Sequence, residues 1–225
     1  MKTLKVALSR PPDPYTDRGC FDDLPVAEPG PATQVALQRD DYVCQFCGFQ
    51  SAAFQTCQGS EAEGADCLAT ACLFCHQVMN LDKVPSMRSG VLIWLPELSQ
   101  SKLNAEMPEI YVLRNSSDDA TRSRARDLLD RFMERRSLAK SRFGTDDPSE
   151  LVRRLSHLGE DGSEIDDILE AGLRILPLDR RIIRVGRLEF NQFPQILAFW
   201  RSREGPFASG RSRSFDQLEL ELVKL

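Results

Sequence analysis

The sequence predicts an α+β protein in which a small metal-stapled module precedes a mainly helical region. Three observations predict it. Two matched cysteine pairs, Cys44-Gln45-Phe46-Cys47 and Cys72-Leu73-Phe74-Cys75, lie about two dozen residues apart. Gly90 to Leu95 is an apolar run rich in β-preferring residues (Val91, Ile93, Trp94), which reads as a buried strand. Asp118 to Arg142 places Ala125, Leu128, Leu129, Phe132 and Met133 on one stripe at helical spacing.

The elements follow in order. Residues 1–31 form an irregular arm, because prolines at 11, 12, 14, 25, 29 and 31 forbid a long helix there. Tyr15 and Phe21 are candidates to pin it to the body. Ala32 to Asp41 reads as a short helix, with Pro31 at its entry and Val35, Ala36 and Leu37 as its apolar patch. The first cysteine pair then makes a knuckle, closed by Gly48 and surrounded by Tyr42, Phe46 and Phe49. Ser51 to Asp66 is polar and glycine-bearing, a loop or a degraded hairpin. Leu68 to Leu81 reads as a helix that carries the second pair on its first turn, since Ala71, Cys72, Cys75, Val78 and Met79 recur at spacings of three and four. After the strand at 90–95, Pro96 stops it and a helix starts between Pro96 and Asn104; Glu109 to Leu113 is a second strand candidate. Asp118, Asp119 and Gly144 supply entry and exit signals for the long helix. Two shorter helices follow, Asp147–Leu158 and Ser163–Leu173, with Gly159 and Gly172 as exits. Arg174 to Phe190 alternates too irregularly to separate helix from strand. Pro194 to Trp200 predicts a short buried helix, Ser209 to Ser214 a basic linker, and Phe215 to Leu225 a terminal strand or docking tail.

Paired CxxC motifs point to a tetrahedral metal cage. Two intervening residues let the chain turn back, so that both sulfurs face one point, and zinc is a borderline-soft cation that thiolates hold well. The expected ligands are Cys44, Cys47, Cys72 and Cys75, with one structural Zn2+. Two disulfides, or four unrelated core thiols, are the alternatives. Of the seven cysteines, Cys20, Cys57 and Cys67 stand outside the pairs; Cys57 and Cys67 lie in the joining loop and are open to substitution as ligands.

Bulk composition narrows the function classes. At 225 residues, 41% hydrophobic and 28% charged, the chain is ordinary for a globular protein. Val91 to Leu95, an apolar run that no other exceeds, is too short to span a bilayer, and the first residues lack the apolar stretch of a signal peptide, so a cytoplasmic location is expected. Reduced thiols there favour metal over disulfide. Residues 1–100 hold 7 Lys and Arg against 12 Asp and Glu, whereas residues 101–225 hold 22 of each. Four thiolates around one divalent ion add about two more negative charges to the acidic half. Nucleic-acid affinity rests on neutralised phosphates, so no nucleic-acid partner is expected of this half. The basic cluster Arg131, Arg135, Arg136, Lys140 and Arg142 is diluted by Asp127, Asp130 and Glu134 and reads as a solvated helix face.

Arg39 to Gly48 together with Cys72-Leu73-Phe74-Cys75-His76 resembles the HNH endonuclease zinc module, a treble-clef type of fold. That resemblance implies an HNH-like zinc-binding module over residues 32–115, followed by a helical region over 116–225. Active members carry a histidine-rich strand between the pairs and a further histidine four residues after the Cys-His dipeptide. Here no histidine lies between Gly48 and Cys72, Asn80 holds the downstream position, and only His76 and His157 exist in the chain. Cleavage of this type needs a general base and ligands for a second metal. The chain therefore reads as non-catalytic, with no catalytic residues to name.

A narrower resemblance covers residues from about 35 to 113. Gly90-Val91-Leu92-Ile93-Trp94-Leu95-Pro96-Glu97-Leu98-Ser99-Gln100, then Leu103-Asn104, with the knuckle and with Ala71 to Gln77, is similar to the IcmJ (DotN) family of type IVB (Dot/Icm) secretion systems. The resemblance implies a cytoplasmic adaptor that binds the carboxy-terminal segment of the coupling ATPase (DotL-like), beside its associated adaptor proteins, and reaches the inner membrane only through that complex. Two other readings compete. One is a metal-dependent nuclease using Asp66, His76 and Asp82; the other is a nucleic-acid-binding zinc module using the helix around Arg122 to Arg142.

Overall fold

Pro31 opens the first helix of the computed structural model, which describes residues 1–9, 29–158, 163–185 and 188–208. The expectations for residues 10–28 (Tyr15, Cys20 and Phe21 among them), for Gly159 and for the segments 209–214 and 215–225 lie outside the described residues. Helix α1 (Pro31–Arg39) has Pro at its first turn and buries Ala36 and Leu37. Its free N-terminal amides are capped from a distance: the Ala32 N–H donates to Glu61 Oε1 at 3.1 Å and the Thr33 hydroxyl to Glu61 Oε2 at 2.6 Å. At the other end, Arg39 donates to the Ala65 and Leu68 carbonyls (2.8 and 2.9 Å) and pairs with Asp40 at 2.8 Å. Asp40 in turn accepts from the Thr70 N–H at 3.1 Å. The Arg39 guanidinium holds the Asp40 carboxyl below its ordinary range.

The stretch expected as a loop contains strand β1 (Gln55–Gln58), and the start of the expected second helix is strand β2 (Ala69–Cys72). They pair antiparallel, Gln55 opposite Cys72 and Gln58 opposite Ala69. Helix α2 runs only from Leu73 to Met79. Residues 69–72 are buried throughout, so no period-two alternation marks them as a strand, and Ala71 and Cys72 happen to share helical spacing with Cys75. A short helix α3 (Lys83–Met87) follows. The amino terminus lies alongside: Lys2 N–H donates to the Gln45 carbonyl (2.7 Å), and Ala7 exchanges bonds with Val78 and Leu81 (3.1 and 2.9 Å).

Strand β3 (Gly90–Trp94) forms as expected and pairs antiparallel with β4 (Leu173–Pro177), a distant segment of the sequence, Gly90 opposite Pro177 and Trp94 opposite Leu173. Gly172, just before β4, has φ +137°, and a Cβ there would meet Pro96 at 2.9 Å. Helix α4 (Gln100–Leu113) starts at the Ser99 cap, whose hydroxyl accepts from the Lys102 N–H at 3.2 Å. It absorbs the second strand candidate, residues 109–113, and tolerates Pro108 in its interior. Buried Met107, Ile110 and Tyr111 hold that last stretch in the helix through core packing, which overrides the β preference of Ile110 and Tyr111.

Helix α5 (Asp119–Phe143) matches its expected limits: Asp118 accepts from the Thr121 N–H at 2.8 Å, and Gly144 ends it at φ +92°. It packs across β3. Its basic cluster is largely occupied by the chain itself. Arg136 and Lys140 pair with Asp146 (2.5 and 3.3 Å), Arg135 with Glu97 (3.1 Å), and Arg142 lies over the Trp94 ring at 4.7 Å. Helices α6 (Pro148–Leu158) and α7 (Ser163–Ala171) follow, then β4, then the hairpin β5 (Ile182–Val185) and β6 (Leu188–Asn191). Helix α8 (Phe193–Trp200) is buried through Phe193, Ile196 and Trp200.

The architecture is thus mixed α and β, with a cysteine cluster toward the amino-terminal side and helices after it. One core joins the cysteine cluster to α4, α5 and α8, centred on aromatic rings: Trp200 meets Phe49, Phe74 and Phe193 at 5.6–5.9 Å, and Tyr111 meets Phe193 at 5.2 Å. A second core, under β3 and β4, holds Val78, Leu92, Trp94, Phe143, Leu151 and Ile175. Among the described residues, no helix is long and apolar enough to cross a membrane.

Candidate metal centre

The knuckle is built by backbone bonds between neighbours. Gly48 N–H donates to the Cys44 carbonyl and Cys44 N–H to the Phe49 carbonyl, both at 2.9 Å, while Gly48 takes φ +79°. Gln45 N–H reaches across to the Thr70 carbonyl at 2.8 Å, which ties the knuckle to β2. Beneath it, the Gln55 side-chain amide donates to the Tyr42 and Phe49 carbonyls (3.0 and 2.9 Å). The second pair sits where β2 becomes α2: Cys72 is the helix cap, and its sulfur accepts from the Cys75 N–H at 3.4 Å.

These elements bring the sulfurs of Cys44, Cys47, Cys72 and Cys75 within 4.8 Å of one another, all four residues buried. A single ion about 2.3 Å from four sulfurs needs edges of about 3.8 Å. Cys47 and Cys72 stand 3.6 Å apart, which suits that tetrahedron and is far beyond a disulfide bond. All six described cysteines are unbridged. Four thiols this close cannot all ionise on their own. Sulfur hydrogen bonds from Cys47, Cys72 and Cys75 hold Cys44 far below the usual thiol range, whereas burial pushes Cys72 up and the nearby Cys44 and Cys47 sulfurs push Cys75 up. A divalent cation removes that conflict by neutralising the charge that accumulates. The residues therefore fit one structural metal site with all four positions supplied by protein.

The remaining candidates separate. Cys57 is half-buried, its thiol pushed up to about 11 by burial, and Cys67 is exposed; neither joins the cluster. Among the described residues, the four cysteines are the one group of three or more metal-ligating side chains that converge, so Asp66, His76 and Asp82 do not form a second centre. Asp82 accepts from the Ser9 N–H at 2.6 Å. His76 is buried beside Asn80, 3.3 Å from its amide nitrogen, and burial lowers its pKa to about 3, which leaves it neutral. His157 lies exposed on α6.

Sequence reasoning gave no role to Asn104. It is fully buried on α4, and its side-chain amide donates to Cys75 Sγ at 3.4 Å. A buried, helix-borne Asn with no turn to make is the signal that marks it. A cavity of about 820 Å³ opens beside the centre, walled by Tyr42, Cys47, Phe49, Glu106, Glu109 and Phe207.

A curated relative, the Type 4 apparatus protein DotN of Legionella pneumophila subsp. pneumophila (strain Philadelphia 1), is 32% identical over 152 residues, covering 64% of this chain and 71% of the relative. The chain belongs to the DotN family. No protein-family model matches it.

Proposed function

We propose that this DotN-family chain is a non-catalytic structural subunit of a type IV secretion apparatus. It acts as an adaptor that grips the carboxy-terminal segment of the coupling ATPase (DotL-like) and works in the cytoplasm, reaching the inner membrane through that complex. Cys44, Cys47, Cys72 and Cys75 hold one Zn2+, which braces an HNH-like, treble-clef arrangement of knuckle, hairpin and helix.

The observation that carries this reading is a closed four-sulfur cage in a chain of the DotN family. Catalytic zinc keeps one position open for water or substrate, whereas a cage with four protein ligands is structural. Four soft donors at single-ion spacing favour zinc over hard cations. The burial of His76 supports an inert centre, because a general base must reach the water it activates. The acidic, aromatic-walled cavity beside Cys47 supports a peptide-gripping role.

The test uses the full chain purified under reducing conditions. Elemental analysis is expected to give one zinc per chain, and calorimetry is expected to show binding to the carboxy-terminal segment of the cognate coupling ATPase. Absence of that binding overturns the adaptor reading. Plasmid nicking with magnesium or manganese that His76→Ala abolishes replaces it with a nuclease.

A further inference from the structure

Gln100, Leu103 and Asn104 end the sequence run that sets this chain beside its family, and the metal cage alone gives them no purpose. Their geometry supplies one. In the β3–β4 pair, Leu92 and Ile175 face each other. Leu92 turns its N–H outward to the Asp146 carbonyl at 2.9 Å, so this is a pair whose backbone groups point to the sheet edges. On the outer edge of β4, the Gln100 side chain takes the place of a missing strand. Ile175 N–H donates to Gln100 Oε1 at 2.8 Å, and Gln100 Nε2 donates to the Ile175 carbonyl at 2.7 Å. The second Nε2 proton goes one helical turn onward, to Asn104 Oδ1 at 2.9 Å. Asn104 Nδ2 then faces Cys75 Sγ at 3.4 Å.

The direction of this chain is forced. A backbone N–H can only donate and a backbone carbonyl can only accept, so Ile175 fixes which end of the Gln100 amide is oxygen. Gln100 thereby fixes the Asn104 amide, and Asn104 has no choice but to present N–H to sulfur. A donor there favours the charged, metal-bound thiolate over a thiol that still carries its own proton.

We propose that Gln100 and Asn104 are positioning residues that relay the polarity of the β4 backbone to Cys75. Metal binding near the amino-terminal side and seating of residues 173–177 are therefore coupled, each favouring the other by the same factor. The proposal rests on the metal-cage reading above.

The decisive substitution is Gln100→Glu, which keeps the shape, touches no sulfur and removes the donor. Its carboxylate turns lone pairs toward the Ile175 carbonyl and toward Asn104 Oδ1, so the Asn104 amide is driven to rotate its oxygen toward Cys75. Gln100→Met removes the bonds without reversing their polarity. Cobalt(II) serves as the probe at pH 8, with affinity read by competition against a chelator and sulfur bonding by the sulfur-to-cobalt charge-transfer band. Gln100→Glu is expected to lose about 10–100-fold in affinity and to move the band to longer wavelength, as a sulfur without its donor gives up charge more readily; Gln100→Met loses distinctly less. Asn104→Leu moves both readouts in the same direction as Gln100→Glu. Equal losses for Gln100→Glu and Gln100→Met, or an unmoved band in Gln100→Glu, overturn the relay and leave these residues as packing. Should Gln100→Glu fail to fold, hydrogen exchange on the wild-type chain decides. Removing metal is expected to speed exchange of the Ile175 amide more than that of Ile183 in the β5–β6 hairpin, and equal acceleration overturns the relay. A wild-type chain that shows no sulfur-to-cobalt band overturns the cage reading instead.

Discussion

Tyr111→Phe tests how helix α4 is held against strand β4. Tyr111 is 2% exposed, and its hydroxyl donates to the Pro177 carbonyl at 2.6 Å. The register of β3 and β4 explains why that carbonyl needs a partner. Leu178 N–H bonds the Ser89 carbonyl and Leu92 N–H turns outward, so backbone bonds between the strands fall on alternate pairs that omit Gly90 and Pro177. The Pro177 carbonyl therefore points away from β3 toward α4. Removing the hydroxyl deletes one net hydrogen bond and strands a buried acceptor, while the ring keeps its contacts with Phe74 and Phe193. The expected loss is about 2 kcal/mol. For a chain of this size, that lowers the Tm by about 4–8 °C. Chemical denaturation of the metal-loaded protein measures it, with the denaturant slope unchanged because the same surface is exposed. Burial, then the nearby Asp179 charge, raise the Tyr111 pKa above its ordinary value. A raised acid contributes its stability fully below the unfolded value of about 10 and loses it as the pH climbs beyond, so the gap between wild type and the Tyr111→Phe variant narrows above about pH 10. A Tyr111→Phe protein within about 0.5 kcal/mol of wild type at pH 7 refutes the reasoning.

Cys44→Ser and Cys75→Ser are each expected to lose the metal and to unfold the knuckle region at a cost of several kcal/mol, about the scale on which structural zinc supports folding; retained metal content and Tm refute the cage. Cys57→Ser leaves metal content unchanged, since its thiol stands apart from the cluster, and elemental analysis checks this. Asp40→Asn removes a carboxylate whose pKa the Arg39 guanidinium depresses. Wild type should exceed the variant in stability above about pH 4, and the difference should vanish as acid protonates Asp40 through its lower folded value; a difference that persists in strong acid contradicts this. Gly172→Ala forces a side chain into φ +137° against Pro96 and is expected to cost about 1–3 kcal/mol in denaturation, with no loss meaning that the turn rearranges freely.

Some of this architecture is written locally. The limits of α5 follow from Asp118 and Gly144, because caps act through the nearest turn. Strand β3 follows from a β-branched and aromatic run bounded by Gly90 and Pro96. Residues 69–72 defeated the same logic. Every one of them is buried, so the strand shows no alternation, and its partner Gln55–Gln58 is polar and carries no apolar signal of its own. Residues 109–113 misled in the opposite way: Ile110 and Tyr111 favour a strand in isolation but are helical because α4 buries both against the core.

The four clustered cysteines were legible as a candidate set from spacing, since CxxC constrains where two sulfurs can point whatever surrounds them. Their convergence, and the exclusion of Cys57 and Cys67, required the fold. So did the roles of Gln100 and Asn104, because a side-chain amide has no fixed direction until a backbone group 75 residues away supplies one. Short-range chemistry, then, was settled by the order of residues: which cysteines fall in CxxC pairs, where α5 begins and ends, which charges sit on which half. The partnership of β3 with β4 was settled by tertiary structure alone, because a hydrogen bond between distant segments depends on where the whole chain returns and leaves no mark in either segment by itself.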